Sequence, residues 1–369
     1  MNIILPIVLA LMFPYLLAIM LIFRGWKRLK PIQSFTFRPK VSIVVAARNE
    51  EKNLRQLLKD LQAQDYPSEL LEIIVADDHS EDATALVAKN LPGVKLVSPR
   101  EVQQGFVGKK QALRAAASLA SGEILLFTDA DCRVKPGWVK AMVSAFENLD
   151  LQMVAGPVHM LGKGLRGSFF ELEFLSLSIS TAGSIGAGFP LMCNGANLAF
   201  RRTTWHYLVQ HMPGQALASG DDVFMMMTLI KEKGISALTW CMAQEAIVHT
   251  AAPTGLREFF AQRIRWASKT GHYSYLPSKI VAWVVLFTNL IFFLSMGLLP
   301  FGFFQPFLWI FLSKSILDFM LLWDAARFFH RRSLLVVFLP AQVLYPIYIA
   351  ALAIGALITK PTWKGRPIR

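Results

Sequence analysis

Residues 3–23, IILPIVLALMFPYLLAIMLIF, carry no charged side chain, and RGWKRLK comes directly after them. An uncharged apolar run of this length can cross the hydrocarbon core of a bilayer as a helix. A secretory leader has its positive charges before the apolar run and a small-residue cleavage site after it. Here Arg24, Lys27, Arg28 and Lys30 come after the run. Basic residues on that side are expected to hold the chain beyond residue 24 in the cytoplasm. The competing use of such a run is a helix buried in a soluble core, and the length without charge argues against it.

A second uncharged block, residues 280–313, is too long for one span. It is expected to divide near Pro300, with helices at about 280–299 and 303–323. A further run, 334–358, comes after the basic loop RFFHRR. If 24–279 is cytoplasmic, two crossings return the chain to the cytoplasm at Arg327–Arg332. A third full crossing then puts the basic tail KPTWKGRPIR outside, against the charge rule. Pro340 and Pro346 leave a re-entrant or interfacial segment as the alternative. The expected organisation is a transmembrane helix at 1–24, a cytoplasmic catalytic domain at 38–250 and an amphipathic interfacial segment at 251–279. A transmembrane region at 280–358 and a basic tail at 359–369 complete it.

The chain has 38 basic and 25 acidic residues, a net charge of +13. An excess of that size calls for an anionic partner. Its basic residues cluster beside the apolar runs, which points to a phospholipid bilayer and not to nucleic acid. Three widely spaced cysteines, Cys132, Cys193 and Cys241, make neither a disulfide framework nor a zinc pattern. That agrees with a reducing compartment.

Between the apolar runs, strand and helix signals alternate. VSIVVA (41–46), EIIVA (72–76), VKLV (94–97) and EILLFT (123–128) read as strands covered on both faces. Residues 50–64, 81–90 and 109–120 read as the helices between them. This is an α/β pattern with a mostly parallel sheet. Ligands of such sheets bind beyond the carboxyl ends of the strands. Those ends carry AARNEE (46–51), DDHSED (77–82) and DADC (129–132). The first strand lacks a GxGxxG after it and no GxxxxGK[ST] occurs, so dinucleotide and P-loop readings are weak.

Asp129 and Asp131, two apart after a strand, can aim their carboxylates at one point. With phosphate oxygens they suit Mg²⁺ or Mn²⁺. A polar turn capping the next helix explains the same spacing. Asp221 and Asp222, in SGDDVF (219–224), precede an apolar helix and equally read as caps. A carboxylate there is ionised at neutral pH and can accept a proton from an alcohol. In LREFFAQRIRWASK (256–269), Leu256, Phe259, Phe260 and Ile264 share a face, with Arg257, Arg263 and Lys269 off it. That pattern suits a helix lying in a membrane interface. The alternative turns Arg265 and Trp266 inward, toward a diphosphate and an acceptor. Lys314 and Asp318, four apart, line an acceptor path or neutralise each other.

DDHSED, DADC, GDD (220–222) and QRIRW (262–266), in that order, resemble the membrane-integral members of glycosyltransferase family 2. GDD stands where many members have E-D, a conservative departure. The resemblance implies a GT-A fold and an inverting hexosyltransferase that uses a nucleotide-sugar donor, commonly a UDP-sugar. It implies that Asp77 or Asp78, with Ala47, Arg48, Glu50, Lys109 and Asp129, lines the donor nucleotide. Asp131, with Asp129, is implied to hold Mg²⁺ or Mn²⁺, and Asp222 to be the general base, with Asp221, Arg265 and Trp266 in the catalytic set. Gly195 and Asn197, from CNGANLAF (193–200), and Gln262 and Arg263 are implied on the acceptor and diphosphate side.

The expected acceptor is a hydroxyl of a membrane lipid or lipid-linked molecule, with the protein in a bacterial-type cell membrane. A processive polysaccharide synthase carries the same motifs but usually needs more spans. A non-enzymatic lipid-binding scaffold would leave all four acidic and QRIRW segments as accidents.

Overall fold

A computed structural model of the chain describes residues 4–32, 36–98, 108–212, 220–359, 362–363 and 366–367. Most of the basic tail at 359–369 lies outside the described residues. The chain divides into two compact units. One comprises Leu29–His159 with Met192–Ala251, the other Met1–Arg28, Met160–Leu191 and Ala252–Ile368. Helix α1 (Ile4–Arg28) opens the second of these.

The first unit is built on a sheet. Its elements are β1 (Val41–Ala47), α2 (Glu51–Gln62), β2 (Leu71–Asp77), α3 (Thr84–Lys89), β3 (Val94–Val97), α4 (Lys109–Ser118), β4 (Ile124–Asp129), α5 (Trp138–Ser144) and β5 (Met153–Ala155). After helix α6 (Gly164–Ala187), which belongs to the other unit, come β6 (Leu198–Arg201), α7 (Arg202–His211), α8 (Asp221–Lys233) and β7 (Leu238–Trp240). Spatial order is β3-β2-β1-β4-β6-β5-β7. β1 to β4 are parallel, as their continuous apolar runs predict for strands covered on both faces. β6 runs antiparallel to both β4 and β5, so the sheet is mixed. Helix α2 buries Leu54, Leu57, Leu58 and Leu61, the stripe that a 3.6-residue period lines up on one face. On the β4 side, Phe127 stacks on Trp205 at 5.7 Å and meets Phe200 edge-on at 5.9 Å.

The second unit is helical. To α1 and α6 it adds α9 (Leu256–Ala267), α10 (Leu276–Gly297), α11 (Phe304–Phe328) and α12 (Phe338–Ile358). Four stretches, Leu5–Arg28, Leu276–Gly297, Phe304–Phe328 and Arg332–Ile358, are long and apolar enough to cross a membrane, by length and composition. Val8, Met12, Tyr15, Phe292 and Ile310 form a buried cluster among them. α1 and α6 meet backbone to backbone: a Cβ at Gly25 would lie 1.9 Å from the Gly183 carbonyl oxygen. Small residues at such crossings allow the close packing on which helices in lipid depend.

Buried charges on α11 are paired. Lys314 forms an ion pair with Asp318 at 2.5 Å and donates to the Gln342 amide oxygen at 2.9 Å. Gln342 donates back to Asp318 at 2.9 Å, and the Tyr15 hydroxyl donates to the other Asp318 oxygen at 2.8 Å. Of the two readings of Lys314 and Asp318, the mutually neutralising pair is the one observed, enlarged by a second and a third helix.

Two stretches bear on expectations read from the sequence. Residues 160–191 were expected within 38–250 but cluster with the helical unit. The cause is α6, whose Glu171 is bound by Arg331 and whose Glu173 is bound by Arg263. The run 334–358 does not break at its prolines. Pro340 falls in the first turn of α12, where its missing N–H costs nothing, and the helix continues through Pro346.

Candidate active site

Register brings the predicted strand ends together. Ala47 pairs with Asp77, and Ala46 with Asp129, so β1, β2 and β4 end level. The loops beyond β1 and β2 are joined by hydrogen bonds. Asp78 N–H donates to the Ala47 carbonyl at 2.8 Å and Glu50 N–H to the Thr84 hydroxyl at 2.8 Å. Glu81 N–H donates to the Asn49 side chain at 2.9 Å, and Arg48 to the Asp78 carbonyl at 3.3 Å. Ala47, Arg48, Glu50, Asp77 and Asp78 therefore occupy one edge of the sheet. Asp78 is buried, while the Asp77 carboxylate accepts from Ser80 N–H at 3.3 Å.

Lys109, the first residue of α4, forms an ion pair with Asp129. Burial would lower its pKa, but Asp129, Asp222 and Asp131 all act on its ammonium and hold it raised. Three of the predicted carboxylates thus act on one lysine, Asp129 by direct contact. Asp131 is open to solvent, yet the protein packed around this recess, with Asp129 and Glu50, pushes its carboxyl up to about 6.

α8 supplies the second acidic segment. Gly220, with φ of 99°, turns the chain into the helix, and Asp221 and Asp222 fill its first turn, where the helix dipole favours negative charge. Asp222 accepts from Gly195 N–H at 3.0 Å and from Val223 N–H at 2.9 Å. Asp221 pairs with Lys110 at 2.6 Å. Asn197, expected on the acceptor side, is engaged in the interior of the sheet unit. It is wholly buried, accepts from the Trp138 indole at 3.0 Å, and donates to the Pro157 and Ala246 carbonyls at 2.9 and 2.8 Å. Its amide thus ties together the segments that carry Trp138, Pro157 and Ala246.

In the helical unit, QRIRW lies on α9. Arg263 was expected off the apolar face but is buried. Its Nε donates to Glu173 at 3.0 Å, and its guanidinium lies 4.5 Å from the ring centroids of both Phe259 and Trp266. Phe259, Arg263 and Trp266 are spaced four and three apart, so they share one face. Gln262 bonds Arg263 through its amide oxygen, and Arg265 and Trp266 are half-buried.

Residues 42–187 match the family described as Glycosyl transferase family 2, and residues 124–353 match the one described as Glycosyl transferase family group 2. The chain belongs to glycosyl transferase family group 2. An N-acetylglucosaminyltransferase of Rhizobium meliloti is 25% identical over 66% of this chain and 58% of its own length. A beta-monoglucosyldiacylglycerol synthase of Nostoc is 36% identical over 30% of this chain and 24% of its own length. The chain therefore spans little more than half of the first of these relatives and less of the second. A mannosyltransferase from Pyrobaculum calidifontis, solved with GDP-Man and Mn²⁺, superposes with a TM-score of 0.59 at 20% identity. That likeness covers 96% of this chain and 99% of the mannosyltransferase, and it shows the GT-A-type fold.

Within this family group 2 fold, two residues escaped the sequence reading. Lys110 adjoins the predicted Lys109, and a second lysine opening the same helix was the available signal. Glu173 lies in FELEF, where two glutamates interrupt an apolar stretch, a pattern that asks for buried cationic partners. Among the described residues, no three His, Cys, Asp or Glu side chains gather to hold a metal unaided. Two carboxylates with room for phosphate oxygens are the donor set that Mg²⁺ or Mn²⁺ accepts.

Proposed function

We propose that this chain is an inverting glycosyltransferase moving a sugar from a nucleotide-sugar donor, a UDP-sugar by resemblance, to a hydroxyl of a membrane lipid. The level carboxyl ends of the parallel strands, with Lys109 paired to Asp129 and drawn by Asp131 and Asp222 as well, carry the reading. Asp77, or Asp78, and the Ala47–Glu50 loop would hold the base and ribose. Asp131, with Asp129, would hold Mg²⁺ or Mn²⁺, which offsets charge on the leaving diphosphate. Lys109 adds a positive charge beside the same point.

Asp222 takes the acceptor hydroxyl proton as the oxygen attacks the anomeric carbon opposite the diphosphate, which inverts configuration. Hydrogen bonds from Gly195 and Val223 fix the direction of its carboxylate. Gln262, Arg265 and Trp266 are assigned to the diphosphate and acceptor by their motif. The four long apolar stretches support a membrane-integral protein, with the sheet unit assigned to the cytoplasm by the basic residues after α1. The name of the Nostoc relative supports a lipid acceptor, and the Mn²⁺ and GDP-Man of the Pyrobaculum protein support the donor class.

The test is to incubate purified protein with Mn²⁺, total membrane lipid and each of UDP-glucose, UDP-galactose, UDP-N-acetylglucosamine and GDP-mannose. A labelled product of lipid mass is expected with one donor. A high-mass polymer would select the processive synthase instead. Failure of every donor to release nucleoside diphosphate above an Asp222→Asn background would reject the enzyme reading.

A further inference from the structure

Helix α4 opens with two lysines, and each meets a different acidic segment. Lys109 pairs with Asp129 after β4, and Lys110 with Asp221 at the start of α8. Neighbouring residues of a helix point about 100° apart, so one lysine could not serve both. The Lys110 side chain is 2% exposed and that of Asp221 is 19% exposed. A lysine buried to that degree needs a charged partner.

Asp221 and Asp222 are adjacent in the first turn of α8. Like charges on neighbouring residues repel, and Asp222 acts on Asp221 in that sense. Burial already pushes Asp221 upward, with Lys110 opposing it. The charged groups facing Asp221 are Lys110, Lys109 and Arg114 from α4 and Asp222 from α8 itself. Those facing Asp222 are Lys109, Asp221 and the Cys193 thiol, which lies in the segment before β6.

We propose that Lys110 is a positioning residue: by holding the Asp221 carboxylate in an ion pair, it fixes the first turn of α8 and leaves Asp222 to act alone as proton acceptor. The proposal rests on the reading of Asp222 as the base. Lys110 then acts through Asp221 and need not touch donor or acceptor.

The experiment compares Lys110→Met, Lys110→Arg, Asp221→Asn and Lys110→Met/Asp221→Asn in the detergent-purified full chain. Transfer to total membrane lipid is measured from pH 5 to 9 with the active donor of the panel, alongside binding of UDP with Mn²⁺. For Lys110→Met, kcat should fall at least about tenfold, the acid limb of kcat should move up by about one pH unit, and donor KM should hold within about threefold. Lys110→Arg should keep most of the turnover. The double variant, which removes both charges, should bring the acid limb back level with that of Asp221→Asn, whatever turnover the loss of the Asp221 carboxylate costs.

A Lys110→Met enzyme with unchanged kcat and pH profile overturns the proposal. A folded double variant whose acid limb stays where Lys110→Met puts it overturns it too. If Lys110→Met alone does not fold, the double variant decides: an acid limb level with that of Asp221→Asn supports the proposal, and one about a unit higher rejects it. Normal turnover by Asp222→Asn would instead remove the base assignment, whatever the lysine variants do.

Discussion

Glu173 holds the Arg263 guanidinium, which lies 4.5 Å from the ring centroids of both Phe259 and Trp266. The Tyr348 hydroxyl completes the carboxylate's shell at 3.2 Å. Arg263 of QRIRW is thereby engaged in a buried pair, while Arg265 is half-buried. Breaking a buried pair leaves one charge uncompensated, at a cost of about 3–5 kcal/mol. Glu173→Ala and Arg263→Ala should each lower the thermal midpoint in detergent, and Arg263→Met/Glu173→Leu should recover much of the loss. A midpoint unchanged by either single substitution would show the pair to be dispensable.

Asp222→Asn keeps the shape and the Gly195 hydrogen bond but cannot take a proton at neutral pH. Transfer should fall by about 10²–10⁴, the usual contribution of general base catalysis. Binding of UDP with Mn²⁺, measured by calorimetry, should be unaltered, because Asp222 is assigned to the acceptor proton and not to the nucleotide.

The Asp131 carboxyl, pushed up to about 6, must lose its proton before it can bind a cation. Its folded-state pKa lies above the ordinary carboxylate value, so protons compete across a window reaching up to about pH 6. Mn²⁺-dependent UDP binding should be level above that pH and weaken by up to about tenfold per unit below it. Asp131→Asn should flatten the dependence. Removing the cation with EDTA should abolish transfer, and a level profile between pH 5 and 7 in the parent chain would contradict the Asp131 assignment.

The Lys314, Asp318, Gln342 and Tyr15 network joins α11 to α12 and α1. Lys314→Met strands Asp318 in an apolar bundle and should cost about 3–5 kcal/mol, the penalty of an unpaired buried charge. Lys314→Met/Asp318→Leu should be milder. Equal destabilisation by the single and double variants would mean that the charge itself is not what matters.

How far the sequence reveals the fold depends on the range of each contact. β1, β2 and β4 are legible because strands covered on both faces read as unbroken apolar runs. Once their ends are aligned, Asp77, Asp129 and Asp131 fall on one edge. β5, β6 and β7 are only three or four residues long and carry no such signal, so the antiparallel half of the sheet emerges only in three dimensions. Arg263 is a failure of helical arithmetic. Counting apolar side chains alone put it off the buried face, although Phe259 and Trp266 flank it at helical spacing. The missing fact was Glu173, ninety positions away along the chain. For Asn197 the sequence carried no sign of its burial or of its bonds to Trp138, Pro157 and Ala246.

The contact of Gly25 with Gly183 changes what α1 is. A helix tethered to its protein by a linker can be trimmed to give a water-soluble fragment. Here α1 touches α6 without an intervening side chain, its Tyr15 closes the shell of Asp318, and its Lys27 pairs with Asp324. Cutting before residue 38 would uncover two carboxylates and a groove along α6. A version for study in water must come from resurfacing the bundle with α1 in place.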